Sequence, residues 1–160
     1  MEIISVNETN WEELKAIRLA ALKESPEAFS VSYEAALNRS ESEWKARASG
    51  SEGCNFFIAK IGSQSVGIIG GFHKTDQYKL ISMWVSPSQR GLGVAKLLIN
   101  RVIKHAKKLN QDSICLEVSS NNVTACRLYE KYGFNLVSTS QSTANKASKI
   151  LNKLQLNLNA

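Results

Sequence analysis

Apolar residues recur along this chain in two alternating rhythms. A short run at Glu2–Val6 reads as a first or edge strand. Asn10 stands three residues ahead of Glu13, an arrangement that predicts a capped helix start. Leu14, Ile17, Arg18, Ala21 and Leu22 follow at helical spacing until Ser25-Pro26 ends the run. Pro26 suits the first turn of a second, short helix through about Tyr33. The capping pattern returns at Ser40-Glu41-Ser42-Glu43 and predicts a third helix near Trp44.

From Asn55 the rhythm changes. Asn55–Ile61 and Ser65–Phe72 are rich in Ile, Val and Phe and are joined by Gly62-Ser63-Gln64, which predicts a hairpin. Lys79–Val85 is a third such run, closed by Ser86-Pro87. A long amphipathic helix is expected from about Gly91 to Lys108, with Leu92, Ala95, Leu98, Val102 and Ala106 inward and Leu97, Ile99 and Ile103 widening that face. Ser113–Val118 reads as a strand, and Asn122–Tyr132 as a helix ended by Gly133 in a left-handed cap. Phe134–Ser138 and Asn152–Leu158 read as closing strands around a polar loop. Strand–helix–strand–helix–strand order in the middle of the chain requires a mixed sheet with a right-handed crossover. With no internal repeat or composition break, residues 1–160 are expected to form a single α/β domain.

Composition narrows the function classes. Hydrophobic residues make up 43% and charged residues 21%, which argues against disorder and fibrous repeats. There is no apolar run of about 18 residues, the start has no basic flank, and the expectation is a soluble, cytoplasmic chain without a membrane partner. The three cysteines, Cys54, Cys115 and Cys126, form no CxxC pair, and Cys115 and Cys126 read as small buried hydrophobes. His73 and His105 have no second histidine at metal spacing, and His105, among Lys104, Lys107 and Lys108, reads as solvated; no metal site is expected. A formal charge of +6 and a pI of about 9.3 favour an anionic partner such as a nucleic acid, an anionic lipid or a phosphorylated cofactor, or simply describe a basic surface.

The segment Val85-Ser86-Pro87-Ser88-Gln89-Arg90-Gly91-Leu92-Gly93-Val94-Ala95 is more specific. A strand ends, the chain turns through small residues and two glycines, and a helix begins. Glycines admit close approach of an anion to the backbone, and a helix start aims free N–H groups and the positive end of its dipole at it. Arg90 and Lys96 stand at the rim. The dinucleotide fingerprint GxGxxG fails at Lys96, and the nucleoside triphosphate loop ending in Gly-Lys-Ser/Thr is missing, so neither of those enzyme classes fits.

At these residues the chain resembles the GNAT superfamily of acyl-CoA-dependent N-acyltransferases. The family pattern Gln/Arg-x-x-Gly-x-Gly/Ala, after a strand ending Val-x-Pro, is met by Arg90, Gly93 and Ala95 after Val85-Ser86-Pro87. A second pattern, Asn-x-x-Ala-x-x-Leu-Tyr-x-x-x-Gly-Phe, is met by Asn122, Ala125, Leu128, Tyr129, Gly133 and Phe134. The resemblance covers roughly Phe56 to the C-terminus well and Met1 to Ser49 more loosely. It implies a mixed, largely antiparallel central sheet of about six to seven strands flanked by helices. It also implies acetyl-CoA as co-substrate and a primary amine as acceptor: a small molecule, a polyamine or a peptide N-terminus. Backbone N–H groups of Arg90, Gly91, Leu92, Gly93, Val94 and Ala95 would hold the CoA diphosphate. Met83, Trp84 and Val85 would pair with pantetheine and point an N–H at the thioester carbonyl, and Asn122 would contact the pantetheine arm. A homodimer is common among relatives.

Acetyl transfer from a thioester needs a neutral amine, a stabilised oxyanion and a proton for the departing thiolate. Most amines are protonated at neutral pH, so a carboxylate must collect a proton, directly or through water. Glu117, in the strand segment Leu116-Glu117-Val118, is the candidate base, and ribosomal-protein alanine acetyltransferases carry a base in a similar stretch. Many relatives instead place an acid on the earlier strand, where this chain has Lys79-Leu80-Ile81-Ser82. The other reading of Glu117 is a strand residue turned to solvent or to a lysine. Tyr129 is the candidate acid for the CoA thiolate. The first two helices, with Phe29, Tyr33 and Glu34, and the loop at 139–149, including Ser142, Thr143, Asn145 and Lys146, are where the resemblance puts the acceptor. Two rivals carry different signatures. A nucleic-acid module would rest on the lysine face alone, without aromatic interleaving or helix-turn-helix spacing, and no nucleic-acid partner is expected. A GNAT fold that binds acyl-CoA without turnover, as sensor or scaffold, would bind and release no thiol.

Overall fold

Local chemistry sets the element boundaries. In the computed structural model, which describes residues 1–74, 76–142 and 149–159 with the side chain of Ser142 excepted, the strands are β1 (Glu2–Ser5), β2 (Cys54–Ile61), β3 (Gln64–Phe72), β4 (Tyr78–Val85), β5 (Ser113–Ser119), β6 (Asn135–Ser142) and β7 (Lys149–Asn157). The α-helices are α1 (Trp11–Glu24), α2 (Tyr33–Leu37), α3 (Glu41–Ser49), α4 (Val94–Lys108) and α5 (Val123–Lys131). Ser40 caps α3 as expected, its hydroxyl accepting from the Glu43 N–H at 3.2 Å while Glu43 reaches back to the Ser40 N–H. The expected cap at Asn10 is different. Asn10 makes no side-chain cap on α1; its Oδ1 accepts from the Asn7 N–H at 2.7 Å, and Asn7 caps the single 3-10 turn Glu8–Asn10 that leads into α1. The helix expected from Pro26 to about Tyr33 is also corrected: Pro26–Ala28 is one 3-10 turn, and α2 starts afresh at Tyr33 under a Ser32 cap.

The seven strands form one sheet in the order β1-β2-β3-β4-β5-β7-β6. Neighbours run antiparallel except β4 and β5, which are parallel and joined through α4. Hence the sheet is mixed and largely antiparallel, an open α/β arrangement flanked by helices on both faces. One face packs β3, β4 and β5 on α4 and α5, through Ile69, Leu80, Leu98, Val102, Ile114 and Leu116. The other packs β2 and β3 on α1, α2 and α3, around the fully buried Trp44 with Leu14, Ile17, Phe56 and Ile68. No helix among the described residues is long and apolar enough to cross a membrane.

Candidate active site

Two features open a cleft in the middle of the sheet. The recorded pairing of β4 with β5 is limited to Tyr78↔Ile114 and Lys79↔Cys115, so beyond those residues the two strands part. Within β4, Gly70 pairs with Ile81 and Ile68 with Trp84, leaving Ser82 and Met83 opposite the single residue Ile69. Ser82 takes a left-handed φ of 58°, a conformation that costs a non-glycine residue energy and produces a β-bulge. The bulge reverses the alternation of the strand. Tyr78 and Leu80 face the α4 side before it, Met83 and Val85 face that side after it, and Trp84 lies with α1 on the other face. Bulges of this kind redirect backbone groups at functional sites.

β4 runs directly into the glycine turn. After a 3-10 turn at Pro87–Gln89, Gly91 and Gly93 take φ values of 79° and 88°, and Gly93 serves as the N-cap of α4 without any side-chain cap bond. A Cβ added to either glycine would meet nothing within 4 Å, so open space faces both. The helix therefore begins at Val94 rather than Gly91, and Leu92, expected inward, is 66% exposed on the turn. Uncapped N–H groups at the start of a 15-residue helix, open space before them and Arg90 and Lys96 nearby fit a diphosphate. Arg90 is tied in place: its Nε donates to the Val85 carbonyl at 2.9 Å and Nη2 to Glu24 Oε2 at 3.0 Å. Glu24, at the end of α1, also accepts from Trp84 Nε1 at 2.9 Å and from the Ser25 hydroxyl. These hydrogen bonds, Ser25 first, then Trp84, then Arg90, hold its carboxyl below the usual range. Nothing in the sequence marks Glu24 as part of the site, because Trp84 and Arg90, the partners that tie it there, lie 60 and 66 positions away.

The two catalytic candidates approach β5 from opposite faces. Tyr129, in α5, is 6% exposed, packs edge-on against Phe134 with ring centroids 5.7 Å apart, and belongs to the apolar cluster with Leu116 and Val118. Burial, with a smaller effect from Cys126, pushes its phenol well above the ordinary tyrosine range. Glu117 projects to the face occupied by α1, where Lys79 Nζ donates to its Oε1 at 2.6 Å, both side chains remaining partly exposed. Asn122 caps α5, its Oδ1 accepting from the Ala125 N–H at 3.1 Å. Gly133, at φ 93°, turns the chain so that Phe134 N–H reaches the Tyr129 carbonyl. Of the acceptor candidates, Phe29 and Tyr33 pack beside the Trp44 cluster, and Glu34 is exposed. The loop residues Thr143, Asn145 and Lys146, and the side chain of Ser142, lie outside the described residues.

One expectation about histidine is corrected. His73 and His105 come together, ring centroids 5.6 Å apart, at the far end of β4, and His105 is half-buried rather than solvated. Its Nδ1 is 2.8 Å from the hydroxyl of the fully buried Tyr78, and His73 Nε2 is 2.5 Å from Asn55 Oδ1. Among the described residues no three His, Cys, Asp or Glu side chains are grouped to hold a metal ion.

Comparison with known proteins agrees with this geometry. Residues 14–134 match the Acetyltransferase (GNAT) family. N-acetyltransferase 8B of Rattus norvegicus is 32% identical over 88 residues, 51% of this chain and 40% of that protein, so the chain spans about two fifths of the length of such curated relatives. The ribosomal-protein-S18-alanine N-acetyltransferase of Escherichia coli has the same fold, with a TM-score of 0.73 at 18% identity over 98% of this chain and 93% of that one. So does NAA60 of Arabidopsis thaliana, solved in complex with acetyl-CoA, with a TM-score of 0.75 at 16% identity over 99% of both chains. The parted strands, the uncapped glycine turn and the family match together mean that the chain belongs to the GNAT acetyltransferase family.

Proposed function

We propose that this domain, taken as residues 1–160, transfers the acetyl group of acetyl-CoA to a primary amine of a small molecule, a polyamine or a peptide N-terminus. The observation that carries the reading is the parting of β4 and β5 immediately before an uncapped, glycine-lined helix start. Backbone N–H groups from Arg90 to Ala95 bind the diphosphate, with Arg90 held by Glu24 and Val85 so that it lines the turn without adding flexible bulk. The unpaired edge of Met83, Trp84 and Val85 offers N–H and C=O groups to the pantetheine amides, and an N–H there faces the carbonyl oxygen that gains charge during transfer. Asn122 keeps its side-chain N–H₂ available to the pantetheine arm, since its cap uses only Oδ1. Acetyl-CoA supplies the activated thioester when bound.

Tyr129 holds the proton to be delivered. Because burial disfavours the phenolate, the hydroxyl stays protonated through the neutral range and is oriented by its packing on Phe134. Glu117 collects the proton of the incoming ammonium from the α1 face, directly or through water, while Lys79 orients its carboxylate. Placing base and acid on opposite faces of β5 lets the amine approach from one side and the thiol leave on the other. Calorimetric titration with acetyl-CoA tests the cofactor: a one-site curve is expected, and a flat trace would leave the glycine turn as a turn and nothing more. Thiol release on addition of amines then separates an enzyme from a binder without turnover.

A further inference from the structure

Arg18 lies in the apolar stripe of α1 and is 4% exposed, yet its Nε and Nη1 are buried without a hydrogen-bond partner. Its guanidinium sits 5.1 Å from the centre of the Phe29 ring. Arg39 contributes another buried unpartnered donor, Nη1, and lies 5.4 Å from the ring of Trp44, whose own Nε1 is likewise buried and unpartnered. Among the described residues these are the buried side-chain polar atoms left without partners, and all of them are donors. Arg47, 5.9 Å from the Phe56 ring, adds its field. Burial first, then the charges of Arg47 and Arg39, bring the Arg18 guanidinium down to about 10. Glu43 and Glu52 partly offset the repulsion at Arg39, but none of the three arginines has a carboxylate in ion-pair contact among the described residues. Cys54 also faces Arg47 and Glu52, and burial keeps its thiol protonated.

A buried guanidinium with unspent donors and two like charges beside it is strongly disfavoured unless an acceptor arrives. We propose that Arg18, Arg39 and Arg47 form a subsite for the carboxylate of the acceptor, so that the substrate is an amine that also carries a carboxylate. The proposal rests on the acetyl-transfer reading above and specifies its acceptor. Position favours it, since α1 and α3 cover the same face as Glu117 and Trp84. Glu24 fastens the end of α1 to Trp84, and the backbone of Arg18 lies about 9 Å back along the helix axis, a separation that the length of an arginine side chain and a short peptide bridge together. Charge favours a carboxylate over a phosphate. Three guanidiniums against Glu43 and Glu52 leave one net positive charge, which a single carboxylate neutralises and a phosphate dianion exceeds.

The test compares free amino acids and dipeptides with their C-terminal amides, and peptides beginning with Asp or Glu with those beginning with Asn or Gln, by thiol release from acetyl-CoA. Amidation lowers the basicity of the amine, so basicity alone favours the amides at neutral pH. At least one class of carboxylate acceptor should be preferred by about tenfold or more in kcat/KM, mainly through KM, with the gap collapsing in Arg39→Gln. Equal rates, or a preference for the neutral acceptors throughout, would overturn the subsite. If no acceptor turns over, the acetyl-transfer reading has failed on its own, and the subsite is decided by thermal unfolding without CoA. Acetate should then raise the Tm above that in chloride at equal ionic strength, and Arg39→Gln should abolish the difference. An identical response in both proteins would overturn it. Arg47→Gln, at a position that is half-buried like that of Arg39, repeats both measurements should Arg39→Gln not fold.

Discussion

At the scale of single residues, the site divides between groups whose chemistry was visible in the sequence and groups whose contacts were not. Tyr129 was visible through its motif, and its burial gives that motif a physical meaning: the phenol is held neutral and fixed against Phe134. Tyr129→Phe should lower turnover by about 10²-fold in a thiol-release assay while the calorimetric affinity for acetyl-CoA stays nearly unchanged. Unchanged turnover would remove the hydroxyl from the reaction. Glu117 is legible in the sequence as a carboxylate opposite an apolar face, and of its two readings the lysine partner is the contact present in the structure, the role of base being the one proposed. Glu117→Gln should flatten the dependence of rate on pH, and an unaltered profile would leave Glu117 only its ion pair. Arg18 reads in the sequence as one more helical position, because periodicity records where a residue points and not what its charge meets. Glu24, whose value lies in contacts across 60 and 66 positions, carried no local signal at all.

At the scale of elements, the strands and the helices α1, α3, α4 and α5 follow from apolar period and capping pattern, α2 does not, and the glycine turn follows from residues that only a left-handed backbone needs. Gly93 illustrates the limit of a steric explanation. Open space surrounds it, so its requirement is conformational, set by φ of 88° at the N-cap of α4. Gly93→Ala should cost about 1 kcal/mol of stability in denaturant unfolding and weaken acetyl-CoA binding in addition. Gly71 is the reverse case. A Cβ there would stand 1.8 Å from the Tyr78 hydroxyl oxygen, so Gly71→Ala should destabilise by about 1–3 kcal/mol or more, read as a fall in denaturation midpoint. The bulge at Ser82 had no counterpart in the sequence pattern, since a non-glycine residue at φ 58° is held there by its neighbours rather than by its own preference. The corrected cap at Asn7 has a similar origin: two asparagines compete for one helix start, and the additional 3-10 turn decides between them.

At the scale of the whole molecule, the histidine pair and the parted strands set how the fold responds to its surroundings. Burial first, then His73, Lys108 and Arg101, lower the affinity of His105 for a proton below the ordinary value of 6.5. The unfolded chain therefore takes up that proton at higher pH than the folded one, so stability from this group is complete above about 6.5 and declines as pH falls further. Protonation makes Nδ1 a donor, so that the Tyr78 hydroxyl facing it can then only accept. Denaturant unfolding at successive pH values should show that decline, and His105→Gln should reduce it. Because β4 and β5 are stitched over only two residue pairs, the chain resembles a garment with an open seam, four strands on one side and three on the other. A molecule lodged in that seam would be counted by the backbone as a missing strand. Those amide hydrogens of Met83 to Val85 and Leu116 to Ser119 that face the seam, unlike the ones bonded to β3 or β7, would then exchange more slowly when the seam is filled, and heat would open the two halves together instead of one after the other.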